Sequence, residues 1–149
     1  MSTPGTLYGV GVGPGDPELM TVKAWRLLST AKVIAYLAAN GSDSTARSIA
    51  APFLPDDAQE IIIDVPMRTE REPAQAAYDQ GAAQIATHLA RGDDVVMLCE
   101  GDPFFYGSFM YVFERLSAKF KCVVVPGVTS ISAASAAIGH PLVARDEVL

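Results

Sequence analysis

Cysteine, histidine and basic residues are all scarce in this 149-residue sequence, and each scarcity closes off a class of function. The two cysteines, Cys99 and Cys122, stand alone in apolar runs (DVVMLCEG and KCVVVPG) that read as buried strands. A disulfide framework or a cysteine-ligated metal has nothing to build on. Both read as small buried hydrophobes. The two histidines, His88 inside a helical stretch and His140 beyond the last one, lack the spacing of paired metal ligands, so no metal site is expected. Lysine and arginine number 11 against 17 acidic residues, a net charge of -6, and the acid excess runs through both halves of the chain. No basic arm or patch is available for nucleic acid. No apolar run approaches the ~20 residues of a membrane-spanning helix. The opening residues lack the charged, apolar and cleavage regions of a signal peptide, so a cytoplasmic location is expected.

Two phosphate-binding signatures are missing as well. The glycine-rich opening GVGVGPGDP places Pro14 five positions after Gly9 and Asp16 five after Gly11, so the dinucleotide pattern G-x-G-x-x-G fails. No Gly-Lys-Ser/Thr ending makes it a P-loop.

What the chain does have is a core. Half of its residues are hydrophobic and 19% are charged, which fits one folded domain and excludes disorder. Short β-rich runs at Leu7–Val12, Val33–Leu37, Glu60–Val65, Asp94–Cys99 and Cys122–Val125 alternate with stretches of helical period. Ala24, Leu27, Leu28 and Ala31 form one stripe, Ala82, Ile85, Ala86 and Leu89 a second, and Phe109, Val112, Phe113 and Leu116 a third. A fourth helix is expected in the Ala-rich run Ser130–Ile138, and Arg91-Gly92 reads as a helix stop. The alternation predicts an α/β fold with a five-stranded, mainly parallel sheet flanked by helices on both faces.

In such a sheet, ligands bind beyond the carboxyl ends of the strands. Three loops at that edge are rich in special residues. Gly9–Pro17 is a stiffened glycine turn in which Asp16 either caps the next segment or meets a ligand. Glu100–Ser108 sets Asp102-Pro103, a turn-forming pair, beside Phe104, Phe105 and Tyr106, rings that pack in the core or line a pocket. Pro126–Ser132 leads into the last helix, with Thr129 or Ser130 as its cap or as a ligand contact. Glu100 and Asp102 suggest a carboxylate dyad, but the rest of such machinery is missing, as is any nucleophile elbow around the serines.

Taken together and in this order, GVGVGPGDPELMT, CEGDPFFYGS and VPGVTSISAASAAIGHPL resemble the tetrapyrrole methylase family, the uroporphyrin-III and precorrin methyltransferases. Essentially all 149 residues take part, and VIAYLAANGSDSTARSIAAPFL looks most like the members that methylate carbon 20 of precorrin-2. Leu37 departs from the Tyr-Pro-Ala-Ala expected there. The resemblance implies methyl transfer from S-adenosylmethionine to precorrin-2 or its cobalt-bound counterpart, in a two-domain enzyme that is typically a homodimer. It implies cofactor contacts from Pro14, from Gly101, Asp102 and Phe105, and from Thr129, Ser130 and Ile131, places Tyr106 against cofactor or substrate, and assigns no catalytic residue. Residues 1–149 would be the S-adenosylmethionine-binding amino-terminal domain. The family's carboxy-terminal domain has no counterpart here, so this chain alone is expected to bind and turn over poorly. Another methylase of the family, a nicotinamide-dependent oxidoreductase domain and a non-catalytic interaction module remain open.

Overall fold

The computed structural model describes residues 3–149. Five strands, β1 (Leu7–Gly11), β2 (Val33–Ala39), β3 (Gln59–Val65), β4 (Val95–Cys99) and β5 (Cys122–Val125), form one sheet in the order β3-β2-β4-β1-β5. Every pairing is parallel. The β1–β4 register sets Leu7 beside Val95 and Gly11 beside Cys99, so the two strands end level with one another.

Successive side chains point to opposite faces, and the sequence exploits this on the central strands. Val95, Met97 and Cys99 of β4 enter one core, and Val96 and Leu98 enter the other. The first core is covered by α3 (Glu72–Ala90) through Tyr78, Ala82, Ile85 and Leu89, and by α4 (Phe109–Leu116) through Phe109, Val112 and Leu116. The second is covered by α1 (Val22–Ser29) through Ala24 and Leu28, and by α2 (Thr45–Ala50) through Ala46, Ile49 and Ala50. Each buried side chain of Leu, Ile or Phe size contributes about 1.5–3 kcal/mol. β3, at the sheet edge, is covered on one face only: Ile61, Ile63 and Val65 are buried while Glu60, Ile62 and Asp64 face out.

The two layers follow from the strand order. The connections β1–α1–β2 and β2–α2–β3 advance toward the β3 edge, and those through α3 and α4 return the other way, so right-handed crossovers put the two pairs of helices on opposite faces. The reversal falls between β1 and β4, which makes their carboxyl ends the place for a ligand crevice.

Local chemistry sets the helix ends. Thr21 Oγ1 accepts the Ala24 N–H at 3.1 Å and opens α1, and Ser44 Oγ accepts the Arg47 N–H and opens α2. Asp16 acts as a cap: its Oδ1 accepts the Glu18 N–H at 2.9 Å and starts a single 3-10 turn, Pro17–Leu19. Arg91 caps α3 and Gly92 follows with φ +95°, as the Arg-Gly stop predicts.

The strands match expectation to within two residues. The helices differ more. α2 is an addition to the expected set, because six residues hold too little periodicity to register. α3 begins ten residues before its apolar stripe, with Pro73 in its first turn. α1 stops before Ala31, which is nonetheless buried.

Candidate functional site: a glycine-lined cleft at the sheet edge

The loops after β1, β4 and β5 meet at the switch point, and glycine makes the meeting possible. Gly13 and Gly101, both with left-handed φ (+84° and +64°), form an antiparallel bridge in which the Gly101 N–H donates to Gly13 O at 2.8 Å. Gly127 of the third loop packs into the same junction. A Cβ on Gly127 would lie 2.0 Å from Gly101 O, and one on Gly11 would lie 2.8 Å from Gly127 Cα. Three backbones thus touch where no side chain fits.

Asp102 locks this junction from the side. Its Oδ2 accepts the Phe104 N–H at 2.9 Å, which makes the turn, and its Oδ1 accepts the Gly127 N–H at 2.9 Å, which ties the central loop to the third. Both oxygens therefore serve backbone donors, and the turn-forming role expected of Asp102 is only half of what it does. Thr129 is the expected cap by position and not by side chain. It occupies the cap position of α5 (Ser130–Ile138) with extended dihedrals, yet its side chain makes no capping bond.

Around the junction opens a cleft of about 570 Å³, within the range of small-molecule sites. Pro14, Gly101, Asp102, Phe105, Tyr106, Thr129, Ser130 and Ile131 all line it. Residues scattered over most of the sequence are brought together as the loop pattern anticipates. Buried Ala38, Ala46, Val65, Leu98, Cys99 and Phe109 make the floor. Burial pushes the Cys99 thiol far up, outweighing a hydrogen bond near Val10, and the charge of Asp102 adds to the rise, so the floor carries a neutral thiol.

A wall of the cleft escaped the sequence reading. Leu37, Ala38 and Ala39 at the end of β2, the exit turn 42–44 with the first two residues of α2, and Met67 and Tyr78 all line it. β2 lies next to β4 in the sheet, so its exit turn opens at the same edge. Ser44, one of a run of small polar residues after a strand, was the available signal. Leu37, the departure from the family pattern, sits within this wall.

The cleft has one sign of charge. Asp43, Glu100 and Asp102 are its ionisable acids, and no lysine, arginine or histidine is among the lining residues. His88, in the last turn of α3, pairs with Asp93 at 3.2 Å just before β4, at the other end of the strand from the cleft. Among the described residues no three His, Cys, Asp or Glu side chains converge as metal ligands, and no helix is long and apolar enough to cross a membrane.

The family model for tetrapyrrole (corrin/porphyrin) methylases matches residues 6–149. The chain is 50% identical to cobalamin biosynthesis protein CobIJ of Mycobacterium bovis, over 100% of its own length and 31% of that protein. It is 42% identical to precorrin-2 C(20)-methyltransferase of a Sinorhizobium species, over 97% of its own length and 62% of that protein. Among solved structures, uroporphyrin-III C-methyltransferase from Thermus thermophilus complexed with S-adenosylhomocysteine superposes with a TM-score of 0.64 at 32% identity, covering 95% of this chain and 51% of that one. The chain thus spans between about a third and two thirds of the length of these relatives. With the fold, the ordered loops and the family model in agreement, the chain belongs to the tetrapyrrole methylases.

Proposed function

We propose that these residues form the S-adenosylmethionine-binding domain of an enzyme that methylates carbon 20 of precorrin-2 or of its cobalt-bound counterpart. The observation that carries the reading is the acidic cleft at the switch point, lined by all eight positions that the family pattern marks for cofactor or substrate. Carboxylates and oriented backbone dipoles favour a cationic ligand, and S-adenosylmethionine carries positive charge on both sulfur and its amino group. A nicotinamide dinucleotide suits the cleft poorly. Its pyrophosphate would face Asp43, Glu100 and Asp102, and a 3-10 turn separates the glycine loop from α1, so no helix amino terminus opens on that loop.

When bound, the cofactor supplies a methyl group on a sulfonium whose departure needs no protein nucleophile. The task of this chain is placement. Pro14, the Gly101-Asp102 turn and the Thr129–Ile131 segment hold the ligand against rigid strand ends, and Phe105 and Tyr106 help to exclude water. Holding two reactants in line lowers such a barrier by about 7–11 kcal/mol. Asp102 acts by fixing both loops.

In this reading residues 1–149 are the amino-terminal domain and supply one wall of the site, and the further length of the relatives supplies the other. To the same reading belong a homodimer and a cytoplasmic location. The identity to the Sinorhizobium enzyme favours carbon 20 over other positions on the ring. The test is to give the full-length enzyme precorrin-2 and its cobalt-bound counterpart with labelled cofactor. Methyl label at carbon 20 is expected; label at another carbon reassigns the enzyme within the family, and no product from either substrate refutes the proposal. The isolated 149-residue chain should bind S-adenosylhomocysteine weakly by calorimetry, and tight stoichiometric binding would show that one wall suffices.

A further inference from the structure

Resting on that reading, we infer that Tyr106 is a seat for the face of the tetrapyrrole macrocycle, and so a substrate-positioning residue, not a contact of the cofactor. The backbone supplies the first observation. Among the described residues only Asn40 and Tyr106 hold a left-handed φ without being glycine, at +51° and +53°. Asparagine tolerates that region, whereas a bulky aromatic is an outlier there. Such strain persists where surrounding structure imposes it and where the site uses it. The imposition is visible: a Cβ on the next residue, Gly107, would lie 2.4 Å from Pro103 O, so the turn is closed tightly on itself.

Packing does not offset the strain. Tyr106 is 93% exposed, and its one aromatic neighbour is the ring of Phe105, met edge-on at 5.0 Å. A large ring held in an unfavourable conformation and left almost wholly in water is unexplained by the fold. It calls for a cover from outside these residues, which the far wall of the cleft or a bound substrate would supply.

The cleft says which partner. Both Tyr106 and Phe105 line it, and so does Met67, which is 70% exposed; these three mark its rim, while the floor is buried. Tetrapyrroles of this class carry acetate and propionate side chains around a broad, largely apolar ring. Their carboxylates are repelled by Asp43, Glu100 and Asp102, with no cation among the residues that line the cleft on this side. The macrocycle therefore turns its carboxylates away from these acids and its ring face toward Tyr106. Tyr106 offers a flat apolar surface at that place, and aromatic faces favour offset stacking on other π-systems.

The inference separates cleanly from both a structural role and a cofactor role. In the full-length methyltransferase, Tyr106→Gly and Tyr106→Asn remove the ring and suit the left-handed backbone, so both should melt no lower than the parent. They should raise KM for the tetrapyrrole by about tenfold or more, with affinity for S-adenosylhomocysteine within about twofold of the parent. Tyr106→Phe keeps the ring and should keep KM. An unchanged KM in the glycine and asparagine variants overturns the inference, as does a parallel loss of S-adenosylhomocysteine affinity. A drop in melting temperature that accounts for the lost activity does so too. Should the parent neither bind S-adenosylhomocysteine nor methylate a tetrapyrrole, the functional reading fails first and takes this inference with it.

Discussion

The carboxylate of Asp102 accepts the Gly127 N–H at 2.9 Å across twenty-five positions of sequence, and this one bond joins the central loop of the cleft to the third. Because the second oxygen of Asp102 holds the Phe104 N–H, a single side chain sets both the shape of one loop and its distance from another.

Replacing Asp102 by alanine leaves two backbone donors without their acceptor. The expected loss is about 1–3 kcal/mol of unfolding free energy, read from urea denaturation. Asp102→Asn is the milder lesion and should fall between the parent and Asp102→Ala, since the amide has one carbonyl oxygen to share between the two donors. Asparagine and alanine variants of equal stability would show that the Gly127 bond contributes nothing.

Gly127→Ala should be more damaging to binding than its added methyl suggests. The new Cβ would meet Gly101 O at 2.0 Å, a backbone atom that has no rotamer to escape through. Overpacking of this kind costs about 1–3 kcal/mol. The loops must also part, so calorimetry should show lost affinity for S-adenosylhomocysteine in the full-length protein. A variant that binds normally would place the ligand away from the glycine junction.

Acid should weaken the β2–β3 edge through Glu60. Partial burial pushes its carboxyl up, but hydrogen bonds from Tyr36 at 2.7 Å and Arg47 at 2.7 Å outweigh it and hold the group below its ordinary 4.5. A depressed folded value adds stability that is present above the unfolded value and lost as pH falls through the folded one. The parent should therefore exceed Glu60→Gln in stability at neutral pH, and the gap should close below pH 4.5. Thermal melts at a series of pH values measure it; a constant gap would mean that the ion pair is idle. Exposure of about a third on both partners keeps the effect modest.

Thiol labelling should distinguish the two cysteines. Cys99 is buried and its thiol is pushed far above the ordinary 9.0 by burial, so it should resist maleimide until the protein unfolds. Cys122 is half-buried, with a smaller rise from the same cause, and should react first. Mass spectrometry of partly labelled native protein tests the order, and equal rates would contradict a closed cleft floor.

The elements that the sequence disclosed are those whose signal is local. Val95–Cys99 is a β-rich apolar run because β4 is buried on both faces, and that burial is written directly into its composition. The three loops were legible because Gly13, Gly101 and Asp102 do backbone work that few other residues can do. The first half of α3 was not, since Asp79, Gln80 and Gly81 interrupt its stripe; Gly81 is there so that the helix can close on Ile63, whose side chain would lie 2.6 Å from an added Cβ. The Ser42–Thr45 wall was hidden for a different reason. Its turn looks ordinary, and it reaches the cleft only because β2 pairs with β4, a neighbour relation between residues far apart in the chain.

The strand order also dictates a schedule of assembly. β1 is made first, yet it pairs only with β4 and β5, so Leu7 must wait for Val95 and then for Cys122 to leave the ribosome before its ladders close. A nascent chain halted before Gly127 would already hold the whole central loop, with Asp102 lacking the donor that positions it. Competence to hold a ligand therefore waits for the third loop, and until then β1 is a bare edge in need of shelter.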